Sequence, residues 1–93
     1  MIAAFRDSML EMFWRDDVAG GHLAAMERVL RRKLTQLDTA PSLDMLRIPP
    51  ANRLEALSGK LRGYWSIRVN DQWRLVFRWV DGDVHELALM DYH

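Results

Sequence analysis

Residues 63–80, Gly-Tyr-Trp-Ser-Ile-Arg-Val-Asn-Asp-Gln-Trp-Arg-Leu-Val-Phe-Arg-Trp-Val, decide the fold. β-Branched and aromatic residues alternate with polar ones on both sides of the turn-type cluster Asn70-Asp71-Gln72, so the stretch reads as two antiparallel strands. Strand side chains alternate between faces, which puts Trp65, Ile67 and Val69 on one side and Tyr64, Ser66 and Arg68 on the other. On the second strand Trp73, Leu75, Phe77 and Trp79 share the first side, leaving Arg74, Val76 and Arg78 opposite. One face of the hairpin is core and the other carries arginines. Asp81-Gly82 is a tight-turn dipeptide and Val84 to Met90 is again strand-like, so a third strand brings Asp91-Tyr92-His93 to the sheet edge.

Upstream, Arg53 to Leu57 reads as a short strand with Leu54 and Ala56 on one side and Arg53, Glu55 and Leu57 on the other. Ser58-Gly59 and Lys60 to Arg62 form the loop into the hairpin, and Pro49-Pro50 forces an extended or turning connector. From His22 to Asp38 the residues Leu23, Met26, Leu30, Leu34 and Leu37 recur at spacings of three and four, the mark of an amphipathic helix. Its other face holds Glu27, Arg28, Arg31, Arg32 and Lys33, a basic cluster that serves solubility or contacts RNA or a partner. Thr39-Ala40-Pro41 ends this helix and Ser42 caps a single turn over Leu43 to Leu46. Asp16-Asp17 and Gly20-Gly21 separate it from a first helix that starts at Asp7-Ser8 and runs to about Arg15. There Ser8 and Glu11 have capping-box spacing, and Phe5, Met9, Met12 and Phe13 fall on the buried side. Ile2 to Phe5 is an edge strand or a loop packed on the core. Two helices followed by consecutive antiparallel strands make one α+β domain over residues 1–93, with the helices on one sheet face and the other free for function.

Composition narrows the chemistry. The chain has no cysteine, which removes disulfides, thiolate metal sites and thiol nucleophiles. Its three histidines, His22, His85 and His93, lack the spacing of a zinc centre, and no cofactor is expected. Neither a glycine-rich phosphate loop nor a Gly-x-Ser-x-Gly nucleophile elbow is present. The N-terminal stretch is too short and too soon charged for a signal peptide, and no run reaches membrane-spanning length, so a cytoplasmic protein without membrane contact is expected. Charge is balanced overall, 13 basic against 13 acidic residues. Between Arg47 and Trp79, however, seven basic residues face two acidic ones. A positive strip on a sheet face is either a solvated surface or a phosphate-binding one.

The terminal Asp91-Tyr92-His93 lies beside the face that displays Arg68, Arg74 and Arg78. Tyrosine and histidine pass protons, a carboxylate holds a histidine tautomer, and arginine stabilises charge growing on a phosphate. Trp65, Trp73, Phe77 and Trp79 read as core. Tyr64 shares parity with Arg68, where it stacks on a base or lies against an arginine. His85 shares parity with Leu87 and Leu89 and reads as a partly buried histidine without a catalytic role, and His22 reads as surface decoration.

The segment Asn52-Arg53-Leu54-Glu55-Ala56-Leu57-Ser58-Gly59, the string Ser66-Ile67-Arg68-Val69-Asn70-Asp71-Gln72-Trp73-Arg74-Leu75, Phe77-Arg78-Trp79, Asp81-Gly82-Asp83 and the Asp91-Tyr92-His93 ending resemble the HigB branch of the RelE/ParE toxin superfamily, most closely its GraT-like members. The resemblance implies a RelE-like fold and a type II toxin that cleaves mRNA in the ribosomal A site, silenced by a HigA-type helix-turn-helix antitoxin through which alone it meets operator DNA. It implies that the ribonucleotide 2′-hydroxyl attacks the adjacent phosphate to leave a 2′,3′-cyclic phosphate. Carried over by position, Arg74 stabilises the phosphate, Asp91, Tyr92 and His93 form a terminal catalytic group, and Glu55 is a candidate base. Arg53, Lys60, Arg62, Arg68, Arg78 and Tyr64 are the residues expected to bind RNA. Better-known HigB toxins carry a histidine and a lysine where this chain has Glu55 and Ser58. Glu55 acts as a base only where desolvation raises its pKa, and otherwise pairs with an arginine on its own face. Two other readings stay open on sequence: a non-catalytic ParE-like toxin that binds a target such as DNA gyrase, and a weakened toxin that persists as an antitoxin-binding corepressor.

Overall fold

The computed structural model describes residues 1–91. Four strands, β1 (Glu55–Ala56), β2 (Trp65–Arg68), β3 (Trp73–Val80) and β4 (Asp83–Asp91), form an antiparallel sheet in that order. Two helices, α1 (Ser8–Asp16) and α2 (Glu27–Thr39), cover one face, α2 being preceded by a 3₁₀ segment at Gly21–Met26. Leu10, Phe13, Leu23, Leu30, Leu34 and Leu37 meet Ile67, Leu75, Phe77, Val84 and Leu87 in one core. Each of these side chains is essentially inaccessible to solvent, so truncating any of the leucines to alanine costs about 2–5 kcal/mol.

The α2 stripe is as the spacing predicts, with two corrections: the helix expected from His22 begins as an α-helix only at Glu27, with Leu23 and Met26 buried from the 3₁₀ segment before it, and one basic residue faces the core. Lys33 is 5% exposed and turns inward, whereas Arg28 and Arg32 stay at the surface. Position 33 is one turn from Leu30, so it lies on the flank of the buried stripe whatever its charge. The first helix also differs. Asp7, not Ser8, is its N-cap, its carboxylate accepting from the Leu10 amide at 3.2 Å. Leu10 and Phe13 are buried while Met9 and Met12 are largely exposed, which rotates the expected apolar face.

The hairpin faces follow the alternation. Pairing of Ser66 with Val76 and Ile67 with Leu75 fixes the β2–β3 register, and Asn70 builds the turn by accepting from the amides of Gln72 and Trp73 at 2.9 and 2.8 Å. Between β3 and β4 the register slips: Val76 opposes Ala88 but Arg78 opposes His85, so Phe77 faces both Glu86 and Leu87. Glu86 sits in the left-handed region at φ 51°, the position that glycine usually takes in such a bulge. The extra residue reverses parity, so His85 joins Arg78 on the arginine face and is not aligned with Leu87 and Leu89. The N-terminal segment lies along β4 as a parallel edge, bridging Ile2 to Val84 and Phe5 to Leu87. Ala4 accepts from the Leu87 amide at 3.2 Å and Arg6 donates to the Leu87 carbonyl at 2.9 Å, which satisfies the backbone at the bulge.

Candidate active site

The helix-free sheet face is laid out in rows by the strand register. Arg68, Arg74 and Met90 form one row across β2, β3 and β4, and Ser66, Val76 and Ala88 form the next, with Glu55 on the β1 end of that row. The middle row is a floor of small, buried residues. Two guanidinium groups at directly opposed positions repel one another, so such a pair persists where carboxylates or a bound anion offset it. Here Arg68 pairs with Asp71, and Arg74 approaches Glu55 at 3.7 Å.

Arg74 is held on three sides. Its Nε donates to Ser66 Oγ at 2.9 Å, and one Nη donates to the Arg53 carbonyl at 2.6 Å while lying 3.7 Å from the Glu55 carboxylate. Its side chain keeps 13% of its exposure, so the group is fixed and still reachable. Arg53 presents that carbonyl because it leaves the 3₁₀ turn at Pro50–Asn52 in the left-handed region at φ 47°. Above Arg74 lies a cleft of about 260 Å³ lined by Arg53, Glu55, Arg68, Asn70, Asp71, Gln72 and Arg74. Three arginines line it, which suits an anionic ligand such as a phosphate group.

The structure therefore brings together Arg53, Glu55, Arg68 and Arg74. Glu55 is more than half exposed and keeps much of its hydration. Lys60 and Arg62 are exposed on the loop around the 3₁₀ turn Gly59–Leu61 and do not line the cleft. Asp91 opposes Trp73, so Met90 and not Asp91 stands in the Arg74 row; the Asp91 carboxylate accepts from Gln72 Nε2 at 2.9 Å at the end of the sheet. Gln72 also lines the cleft, which links Asp91 to it. Tyr92 and His93 lie outside the described residues.

Tyr64 and Arg78 belong to a separate group further along the same face. The Tyr64 hydroxyl donates to Glu86 at 2.7 Å, Arg78 approaches the same carboxylate at 3.6 Å, and the Arg78 guanidinium lies over the Tyr64 ring at 5.7 Å. Sequence alternation places Tyr64 with Arg68, but the arginine over its ring is Arg78, and Glu86 is brought there by the bulge, for which no glycine marks the position. His22 is not simple decoration: its ring stacks on Trp73 at 4.6 Å, nearly parallel, beside the start of β3. Ser66 and the Arg53 carbonyl are the two anchors of Arg74 that reading by residue type misses. The shared parity of Ser66 and Arg68 is the signal that bears on the first; a backbone acceptor leaves none.

No helix among the described residues is long and apolar enough to cross a membrane. Comparison with known proteins bears on the family and the fold. The family model described as "RelE-like toxin of type II toxin-antitoxin system HigB" matches residues 3–93. Toxin HigB-1 of Vibrio cholerae serotype O1 is 49% identical over 83 residues, 88% of this chain and 87% of the relative. Endoribonuclease HigB of Proteus vulgaris is 32% identical over 93 residues, the whole of both chains. Among solved structures, YafQ from E. coli strain BL21(DE3) superposes with a TM-score of 0.65 at 14% identity, covering 98% of this chain and 93% of that one. The YoeB-YefM complex from Staphylococcus aureus gives 0.58 at 21% identity, covering 100% and 98%. At those identities the two structures speak for the fold alone.

Proposed function

Because this chain belongs to the HigB-like family of RelE-like toxins and is an endoribonuclease toxin of a type II toxin–antitoxin system, we propose that it cuts messenger RNA within the ribosomal A site. The observation that carries the reading is the opposed pair Arg68 and Arg74 at a cleft that a third arginine, Arg53, also lines. A backbone phosphate seated there meets both guanidinium groups. The adjacent 2′-hydroxyl attacks phosphorus: the new bond is O2′–P, the broken bond is P–O5′, and the products are a 2′,3′-cyclic phosphate and a free 5′-hydroxyl. A base takes the 2′-hydroxyl proton and an acid returns one to the leaving oxygen. Arg74, already held by Ser66 and Arg53, stabilises the charge that gathers on the equatorial oxygens.

Glu55, more than half exposed and 3.7 Å from Arg74, serves as the partner of that arginine and not as the base, and Asp91, Tyr92 and His93 form the candidate group for proton transfer. Arg53 and Arg68 bind the same phosphate; Tyr64 and Arg78, two residues beyond Val76 on the face, serve a neighbouring nucleotide, and Lys60 and Arg62 meet the backbone from the loop. The protein works in the cytoplasm, and its partners are the ribosome with its mRNA and a HigA-type helix-turn-helix antitoxin that carries it to operator DNA. A structure that shares this fold is a YoeB-YefM toxin-antitoxin complex from Staphylococcus aureus, which supports an antitoxin partner for this chain as well.

The test is to map mRNA 5′ ends after incubation with antitoxin-free protein, with and without translating ribosomes. New 5′-hydroxyl ends at a fixed codon position, formed only with ribosomes and lost in Arg74→Ala, are expected. Growth arrest without new ends would replace this reading with a gyrase-type or other binding mechanism.

A further inference from the structure

Behind the cleft, on the side of α2, a buried polar cluster is left unused by the proposed chemistry. Asn52 is completely inaccessible, yet every part of its amide is engaged. Its Nδ2 donates to Gln36 Oε1 and to the Leu46 carbonyl, each at 3.0 Å, with the Ile48 carbonyl at 3.4 Å. Its Oδ1 accepts from Lys33 Nζ at 2.5 Å. One side chain thus ties two residues of α2 to the turn Leu43–Arg47 and to the connector that follows it.

The cluster is costly to keep. Burial, with Arg32 and Arg68 nearby, pushes the Lys33 ammonium below its ordinary value. Apolar residues at positions 33 and 52 would fill the same space without that cost, but they would pack without direction. Direction matters at the next residue. Arg53 follows Asn52 immediately, adopts a left-handed backbone that is unfavourable for an L residue, and offers its carbonyl to Arg74 at 2.6 Å.

We propose that Asn52, locked by Lys33, is the positioning residue of the site: it fixes the backbone from which the Arg53 carbonyl aims the Arg74 guanidinium at the phosphate. The chain of contact is continuous, from Lys33 Nζ to Asn52 Oδ1, through one peptide to the Arg53 carbonyl, and on to Arg74. A displacement of about 1 Å at a group that must meet a transition state costs as much as 100-fold in rate, so a cluster far from the reacting atoms governs turnover. The inference rests on Arg74 having the role assigned above, and it is tested by a signal that does not require that role.

The experiment uses the full-length, antitoxin-free toxin labelled with nitrogen-15. The Arg74 Nε–H resonance, identified by its loss in Arg74→Lys, reports the bond to Ser66 and its exchange with solvent. In Lys33→Met, which leaves Asn52 Oδ1 without its donor, that proton is expected to exchange about tenfold faster while core amides keep their protection. Ribosomal cleavage is expected to lose about tenfold in kcat with KM within about twofold. Should Lys33→Met fail to fold, Gln36→Leu removes a single partner of Asn52 from the half-buried side and is read in the same way. An Arg74 proton that exchanges as in the wild type in the folded variant overturns the proposal. If the proton is loosened while kcat is unchanged, the positioning stands and it is the role of Arg74 in cleavage that fails.

Discussion

Arg74 donates its Nε–H to the hydroxyl oxygen of Ser66 at 2.9 Å, diagonally across the β2–β3 pair and over a floor that excludes solvent. This bond leaves the outer edge of the guanidinium for a ligand. Ser66→Ala removes the partner while the Arg53 carbonyl still holds one Nη, so the side chain gains freedom without leaving the cleft. Stability is expected to fall by about 1 kcal/mol, the net worth of one such bond. Cleavage should fall by about tenfold, well short of the 10²–10³-fold expected for Arg74→Ala. Thermal unfolding together with single-turnover cleavage on programmed ribosomes checks both figures. Equal losses for the two variants would mean that Ser66 does more than orient Arg74.

Asp7 joins α1 to the strand that ends at the terminal segment. One carboxylate oxygen accepts from the Leu10 amide at 3.2 Å and the other from the Leu89 amide at 3.3 Å. Asp7→Ala loses both and is expected to cost about 1–2 kcal/mol. Asp7→Asn keeps an oxygen for the helix but offers an amide NH₂ in place of the second acceptor, so its cost should be intermediate and should appear as faster exchange of the Leu89 amide. Urea unfolding and hydrogen exchange of the two variants separate the cap from the strand contact.

The bulge at Glu86 trades backbone strain for a contact. At φ 51° an L residue is disfavoured by roughly 1–2 kcal/mol, and glycine is not. Glu86→Gly relieves that strain but loses the carboxylate that Tyr64 and Arg78 share. Tyr64→Phe loses about 1 kcal/mol of that contact with the strain intact. In the Tyr64→Phe background Glu86→Gly should therefore be more favourable than in the wild type. A double-mutant cycle by urea unfolding measures the difference, and additive effects would show that the two residues do not stabilise one another.

These residues also mark what the sequence could and could not disclose. The hairpin faces, the α2 stripe and the placing of Glu55 beside Arg68 and Arg74 follow from periods of two and 3.6, because each depends on neighbours within one or two elements. Arg53 does not, since the strand expected over Arg53 to Leu57 is only Glu55–Ala56 and Arg53 lies outside it in a left-handed turn. The bulge does not follow, since it depends on pairing between Leu87 and Ala4 on a distant segment, and Glu86 is not the residue type that usually signals it. It shifts His85 by one position from where simple alternation puts it, and one position in a strand is a whole face. By its charge Lys33 reads as a surface residue, although its spacing from Leu30 places it beside the core. The outward turn of Met9 and Met12 likewise reflects which side of α1 meets the sheet, a choice that apolar side chains on both sides leave undecided.

Lys33 gives the fold a pH dependence of definite sign. Its folded-state pKa is lowered from 10.5, chiefly by burial and further by Arg32 and Arg68. In the window between that lowered value and 10.5 the unfolded chain holds a proton that the folded chain has released. Stability therefore rises with pH across this window; the penalty is full below it and gone above it. The neutral amine still donates to Asn52, so the hydrogen bond survives the loss of charge. Lys33→Met has no such group and shares every other titration with the wild type. The difference in unfolding free energy between wild type and Lys33→Met is thus expected to shift toward the wild type as pH rises to about 10.5, and to do so less when Arg68→Gln removes one neighbouring charge. Urea unfolding of the four proteins at several alkaline pH values reads this directly. A difference that stays constant, or moves the other way, would show that the ammonium beneath the cleft is not the strained cation its surroundings make it.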